Sequence, residues 1–325
     1  MKKSSLDLNV VARAATGLNA TRRGFLGGLF AAGAGAFLGG CATARKSPRA
    51  RIALNASTLR PYGLALRQQF VIAVAGGFGG FEPWMKDVRA AKASGELRNA
   101  IAFARDNGLA IVNGIAFGQW TNPDAAIRAA GLEETKRDMA LLAEMGCPFV
   151  AASMFGVHKP GSPILSNDEI AERFAAVCAL GDASGVKPLL EYWGHSVNLH
   201  TLEDALDVLA KVGRSDTAVL ADVYHTYRGG GDFATFARLK APQLPVLHVN
   251  DYRLDKPRET LVDADRVWPG DGAAPWERIF DALDDVGAEP WLSAELFRDE
   301  YCKVRPSACA KTCAKKCLDL LEKYS

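Results

Sequence analysis

The sequence predicts an α/β fold: one (β/α)8 TIM barrel behind an amino-terminal export segment. Two observations predict it. Eight short apolar runs recur along the chain with helix-patterned stretches between them, and such uninterrupted runs suit parallel strands buried on both faces. Four of them, KPLLE, AVLAD, PVLH and WLSAE, end on Glu191, Asp222, His248 and Glu295. In a closed parallel barrel the carboxyl ends of the strands share one rim, where residues from different strands converge.

Residues 1–41 read as a signal peptide. Thr21-Arg22-Arg23-Gly24-Phe25-Leu26 resembles a twin-arginine export motif, and the soft run GFLGGLFAAGAGAFLGG follows it. Leu38-Gly39-Gly40-Cys41 resembles a lipoprotein processing box, which would leave Cys41 lipidated and the protein attached to a membrane. Cleavage after Ala42-Thr43-Ala44 is the alternative. Either way the expected partner is the twin-arginine machinery and the expected location periplasmic or membrane-anchored. Residues 42–50 are a polar linker, and residues 51–325 form the barrel.

The strand candidates start at Ile52 (IALNAS), Phe78 (FGGFE), Leu109 (LAIVNGIAF) and Pro148 (PFVAASMF). The others start at Lys187 (KPLLEYW), Ala218 (AVLADVY), Leu244 (LPVLHVN) and Pro290 (PWLSAELF). Leu64 to Ala75 is rich enough in branched residues for a strand, but the alternation needs it as the first helix. LEETKRDMALLAEMG and NDEIAERFAAVCALGDASG carry helical periodicity and end near glycine. Gly229-Gly230-Gly231 reads as a flexible loop opening a helix, with no Lys or Ser in phosphate-loop spacing.

The chain has 325 residues, 49% hydrophobic and 23% charged, as expected of globular material. Its net charge of +2 comes from Lys2, Lys3, Arg13, Arg22 and Arg23 in the leader, so no clustered basic face points to nucleic acid. Of seven cysteines, Cys147 and Cys178 lie in apolar surroundings that suit packing. Cys309, Cys313 and Cys317 share a helix face too extended to surround one ion; packing is expected, with a tail disulfide through Cys302 or to a partner chain as the alternative.

Three carboxylates and an imidazole at one rim form an oxygen-rich divalent metal site, so Glu191, Asp222, His248 and Glu295 are the candidate ligands. The imidazole shifts preference toward Mn²⁺, with Mg²⁺, Co²⁺ or Zn²⁺ as alternatives. Four protein ligands leave an octahedral ion about two open positions, enough for two adjacent oxygens of a hydroxy-ketone. Chelation there acidifies the carbon-bound hydrogen beside the carbonyl. Glu191 and Glu295, from the fifth and eighth strands, can then act as acid and base, inverting a carbon or interconverting aldose and ketose. Trp193, Tyr192, Trp120 and Phe155 are candidates for an apolar wall on which a sugar ring stacks. His158 and His195 follow strand ends and are weaker candidates for the mouth.

Asp222-Val223-Tyr224-His225 with Arg228, His248-Val249-Asn250-Asp251, Arg266-Val267-Trp268-Pro269-Gly270-Asp271-Gly272 and Glu295 together resemble the xylose-isomerase-like TIM-barrel superfamily. The likeness spans roughly residues 50 to 300. It is strongest toward sugar epimerases of the tagatose/psicose 3-epimerase type and hydroxypyruvate isomerase. That resemblance implies metal ligation by Glu191, Asp222, His248 and Glu295, with Glu191 and Glu295 catalytic. It implies substrate contacts from His225, Arg266 and Glu82, the last a carboxylate closing the second strand, and a homodimer. Two departures stand out. The loop YRLDKPRETLVDAD before Arg266 is long, so Arg258 or Arg253 could take the arginine's place, and Val197 stands where the 3-epimerases have a second carboxylate.

The expected function is therefore a metal-dependent isomerase or epimerase acting on a small, unphosphorylated sugar or keto-sugar. The alternatives are an inosose dehydratase-like lyase using the same site, or a non-catalytic sugar-binding lipoprotein. Five histidines are too few for the three-metal cluster of an endonuclease IV-type nuclease.

Overall fold

The structure, a computed structural model, describes residues 51–324; the leader, Cys41 and the linker lie outside the described residues. Nine strands run in sequence order: β1 (Ile52–Asn55), β2 (Gly80–Glu82), β3 (Ala110–Ile111), β4 (Gly114–Ala116), β5 (Phe149–Ala152), β6 (Lys187–Glu191), β7 (Ala218–Asp222), β8 (Val246–Val249) and β9 (Trp291–Ala294). They pair in the order β3-β2-β1-β9-β8-β7-β6-β5-β4, every pair parallel. Because β3 and β4 are halves of one stave, nine strands make eight staves and the sheet closes into a TIM barrel.

The break in the third stave departs from the continuous LAIVNGIAF strand expected. Ala110–Ile111 pairs with β2, and Gly114–Ala116 with β5. Between them Asn113 turns inward and donates to Glu82 Oε1 at 2.9 Å. A side chain at Gly114 would collide with Leu142, whose methyl carbon stands 2.5 Å from the place of a Cβ. The local geometry follows a buried polar contact and a close helix.

Alternation along each strand divides the core in two. Ile115, Ala151, Leu189, Ala218, Leu220 and Val246 fill the barrel interior. Their neighbours Leu190, Val219, Ala221, Leu247 and Leu292 face outward to the helices. Burial of each of these Leu, Ile and Val side chains contributes about 1.5–3 kcal/mol. The same period of two brings Glu191 after Leu189, Asp222 after Leu220 and His248 after Val246 to the interior, one layer up at the carboxyl end.

The helices close the outer layer. α1 (Leu66–Gly76) confirms the helical reading of Leu64 to Ala75 and lies against the last helix, which leaves no room for a Cβ at Gly76 beside Ala310. α2 (Met85–Ala93), α3 (Leu97–Asp106) and α4 (Ala125–Glu144) follow. α5 (Asn167–Ser184) starts with a capping box between Ser166 and Glu169 and stops at Gly185, whose φ of 74° is left-handed. After α6 (Leu202–Val212), α7 (Val223–Gly229) is capped by the Asp222 carboxylate itself, which accepts from His225 N at 2.7 Å. Gly229-Gly230-Gly231 thus closes a helix instead of opening one, since Gly230 at φ 82° is its left-handed terminus. α8 (Trp276–Asp285) and α9 (Pro306–Tyr324) complete the ring. Cys309, Cys313 and Cys317 bury their shared face of α9 in the core, and among the described residues all cysteines are free. Among the described residues, no helix is long and apolar enough to cross a membrane.

The loop between β8 and α8 is tied down by buried Asp251. Its carboxylate accepts from Tyr252 N at 2.8 Å, Gly270 N at 3.1 Å, Ala274 N at 2.9 Å and the Trp276 indole at 2.9 Å. A backbone bridge from Asp251 to Val267 then holds Arg266 over the barrel mouth. Asp251→Ala strands these donors and should destabilise the protein by about 3 kcal/mol, read as a lower denaturant midpoint. Exposed Asp281→Ala should leave the midpoint nearly unchanged.

Candidate active site

At the carboxyl end of the barrel, Asp222 and His248 are register partners on adjacent strands, and His248 is level with Ser293 on the next. Glu295 follows β9 and continues the ladder, its N–H donating to Val249 O at 3.3 Å. One oxygen or nitrogen from each of Asp222, His248 and Glu295 lies within 4.8 Å of the others, a grouping able to hold a metal ion. His248 Nδ1 stands 3.2 Å from Glu295 Oε2 and 3.7 Å from Asp222 Oδ2. It is close enough for ion pairing but makes no hydrogen bond of good geometry among the described residues. Two carboxylates with one such nitrogen fit a hard or borderline divalent ion. Glu191 is not part of this group of three. It lines the same cavity, where the charges of His248, Glu295 and Asp222 reach it.

The electrostatics follow from burial. Desolvation pushes Glu191 up to about 8 in the metal-free protein, against the pull of His248 and with the push of Glu295. Asp222 is equally buried, yet Arg266, His225 and His248 hold it down to about 2. His248 is raised well above an ordinary imidazole despite burial, because Glu295 and Glu82 face it. Burial drops His225 to about 3, so it stays neutral.

Arg266 is the hinge of this network and is 1% exposed. Its Nη1 donates to Asp222 Oδ2 at 2.9 Å and Glu295 Oε2 at 2.8 Å. Its Nη2 reaches His225 Nε2 and Asp263 Oδ1, each at 3.0 Å. The guanidinium also lies over Tyr224 and Phe297, 4.7 and 5.1 Å from the ring centroids. Arg258 is elsewhere: half-exposed, paired with Glu259 and packed beside Gly230, it does not reach the cavity. Arg253 is not among the lining residues either.

A cavity of about 220 Å³ opens above the group. Its wall is an aromatic arc: Phe297 to Trp84 at 6.3 Å, Trp84 to Phe117 at 5.9 Å, then Phe117 to Phe155 at 5.3 Å and to Trp193 at 6.4 Å. Trp193 stacks on His195, and His158 meets Trp193 edge-on. Trp193, Phe155, His158, His195 and His225 thus all reach the mouth as expected. Trp120 instead packs in the core against Phe174, and Tyr192 is buried with its hydroxyl bonded to Thr226. Glu82 departs from the substrate-contacting place implied for it. It is fully buried outside the cavity lining and accepts from His248 Nε2 at 3.0 Å. Trp84, Phe117, Asp263 and Phe297 line the cavity without having been singled out by sequence; the first two and Phe297 stand just past strand ends, the one available signal.

Residues 70–319 match the family model described as xylose isomerase-like TIM barrel. An inosose isomerase of Bacillus subtilis (strain 168) is 31% identical over 146 residues, 45% of this chain and 52% of its own length. A D-psicose 3-epimerase of Agrobacterium fabrum is 23% identical over 201 residues, 59% of this chain and 65% of its own. The chain thus spans about half the length of the inosose isomerase it matches. Among solved structures, the IOLI protein with a bound zinc atom superposes with a TM-score of 0.77 at 22% identity, covering 85% of this chain and 99% of that one. A D-psicose 3-epimerase solved in the presence of D-fructose gives a TM-score of 0.66 at 17% identity, covering 84% and 99%. At these identities the superpositions speak for the fold. With the family model spanning most of the barrel, this chain belongs to the xylose isomerase-like TIM barrel family.

Proposed function

We propose that the protein is a divalent-metal-dependent isomerase or epimerase of an unphosphorylated keto-polyol, with a cyclic inosose-type ketone as the first substrate class to test. The observation that carries this reading is the close grouping of Asp222, His248 and Glu295 beneath a cavity whose wall includes Glu191. Its relatives named as inosose isomerase and D-psicose 3-epimerase fit the same chemistry.

The cavity argues for the substrate class. Among the described residues, Arg266 is the only Lys or Arg side chain lining it; its two Nη groups bond Asp222, Glu295, His225 and Asp263, and its Nε is buried. A phosphate dianion would meet the carboxylates of Glu191, Asp263 and Glu295 with no Lys and no unpaired Nη group beside it, which disfavours phosphorylated sugars. The arc from Phe297 to Trp193 suits the C–H face of a ring carrying hydroxyls on its rim.

Glu191, Asp222, His248 and Glu295 would hold the metal, which supplies polarisation of a carbonyl and a neighbouring hydroxyl, with Mn²⁺ the first candidate. Glu191 and Glu295 stand on staves separated by β7 and β8 and so flank the cavity floor. One takes the proton beside the carbonyl and the other returns it. Burial of Glu191 up to about 8 lets it hold a proton near neutrality in the metal-free protein. Neutral His225 accepts from Arg266 at Nε2, so its hydrogen lies on Nδ1, which has no partner among the described residues and can donate to a substrate oxygen without adding charge. Dehydration at the same site is the second reading, favoured by half-buried His195 on the cavity wall beside Asp263, placed to protonate a departing hydroxide. Export by the twin-arginine route, attachment through Cys41 and homodimer formation are proposed from sequence.

The deciding experiment is NMR detection of solvent deuterium entering beside the carbonyl, screened over inososes and open-chain ketoses with Mn²⁺. Exchange on inosose exceeding that on psicose is expected; no exchange on any keto-polyol would sink the isomerase reading. Glu295→Gln should slow the exchange by roughly 10²- to 10⁴-fold with an unchanged circular dichroism spectrum. Dialysis against a chelator should abolish exchange and Mn²⁺ should restore it. Full activity after chelation would remove the metal from the mechanism.

A further inference from the structure

We infer that Glu82 is a positioning residue for the metal site: it fixes the ring of His248 so that Nδ1 faces the ion. This rests on the reading that Asp222, His248 and Glu295 hold a metal. Glu82 is fully buried and absent from the cavity wall, so it cannot contact substrate. Its two oxygens gather donors from four other staves. Asn113 donates to Oε1 at 2.9 Å, Asn55 to Oε2 at 3.1 Å, and Ser293 and His248 also reach Oε2, the latter at 3.0 Å.

An ionised carboxylate only accepts, so His248 Nε2 must carry its hydrogen. Once the ring gives up its second proton, the nitrogen left to offer a lone pair is Nδ1, the atom that faces Asp222 and Glu295 and has no hydrogen-bond partner among the described residues. A buried carboxylate behind a ligand imidazole sets its tautomer, its ring angle and its basicity. The broken third stave serves the same end. It turns Asn113 inward to grip Glu82, while Asn113 Oδ1 is left without a partner among the described residues. Binding one oxygen of Glu82 is thus the evident task of that side chain.

The test is calorimetric titration of the metal-free protein with Mn²⁺, beside ring ¹⁵N NMR of the histidines at alkaline pH. Wild type should bind Mn²⁺ and show His248 protonated on Nε2 alone. Glu82→Gln should weaken Mn²⁺ roughly ten- to a hundredfold and mix the His248 tautomers, with a similar circular dichroism spectrum. Ser293→Ala, which removes one grip on Glu82 and leaves the charge, should give a smaller loss in the same direction. Absence of Mn²⁺ binding by wild type would overturn the metal site itself. Wild-type affinity together with an unchanged tautomer in Glu82→Gln would overturn the role of Glu82 alone. If that variant does not fold, wild-type affinity and an unchanged tautomer in Ser293→Ala would do the same.

Discussion

Crowding several buried carboxylates at one end of a barrel is the constraint on which the rest of this structure depends. Glu82, Asp222 and Glu295 sit in or against the barrel interior with almost no solvent, where uncompensated charge is expensive. His248 and Arg266 are the countercharges available, and each is placed between carboxylates: His248 between Glu82 and Glu295, Arg266 between Asp222 and Glu295. The long loop after β8, anchored through Asp251, exists in this form because a guanidinium must be delivered to that spot. The split third stave is the same constraint met from the other side, through Asn113 and Glu82.

This arrangement separates two layers with different work. The lower layer, Asn55, Glu82, Asn113 and Ser293, faces no cavity and acts only through His248. The upper layer opens to the cavity and is shared by Glu191, Glu295, Arg266 and His225. Within it burial sorts neighbours of like chemistry. Glu191, without a hydrogen-bonded cation, is pushed up to about 8, while Asp222, gripped by Arg266, is held down to about 2. Two carboxylates at one end of the barrel are thereby driven apart in the metal-free protein by the charges beside each.

The aromatic arc supplies what the charged floor cannot. Trp84, Phe117, Trp193 and Phe297 come from four different loops past strand ends, and their edge and tilted contacts make one continuous apolar surface. A polyhydroxylated ring is apolar on its faces and polar on its rim, so a wall of rings over a polar floor orients it without a charged clamp. Arg266 cannot serve as that clamp, because both its Nη groups are committed to protein acceptors and its Nε is buried.

Much of this was legible in the order of residues. Uninterrupted apolar runs separated by helix-patterned stretches marked all eight staves, and the polar residue closing KPLLE, AVLAD and PVLH marked the rim, because both are written locally in the chain. Three features were decided by tertiary structure. LAIVNGIAF carries no local signal for a break; the break follows from Glu82, distant in sequence, demanding a donor from Asn113. Arg258 and Arg266 have the same chemistry, and only the Asp251 anchor and the Asp251–Val267 bridge turn one to the site and leave the other at the surface. The family resemblance implied a substrate contact for Glu82, but its depth and its bond to His248 come from the way β1, β2, β8 and β9 meet around the barrel. Strand identity is written within a few residues, whereas the role of a charge depends on which partners the closure of the sheet brings beside it.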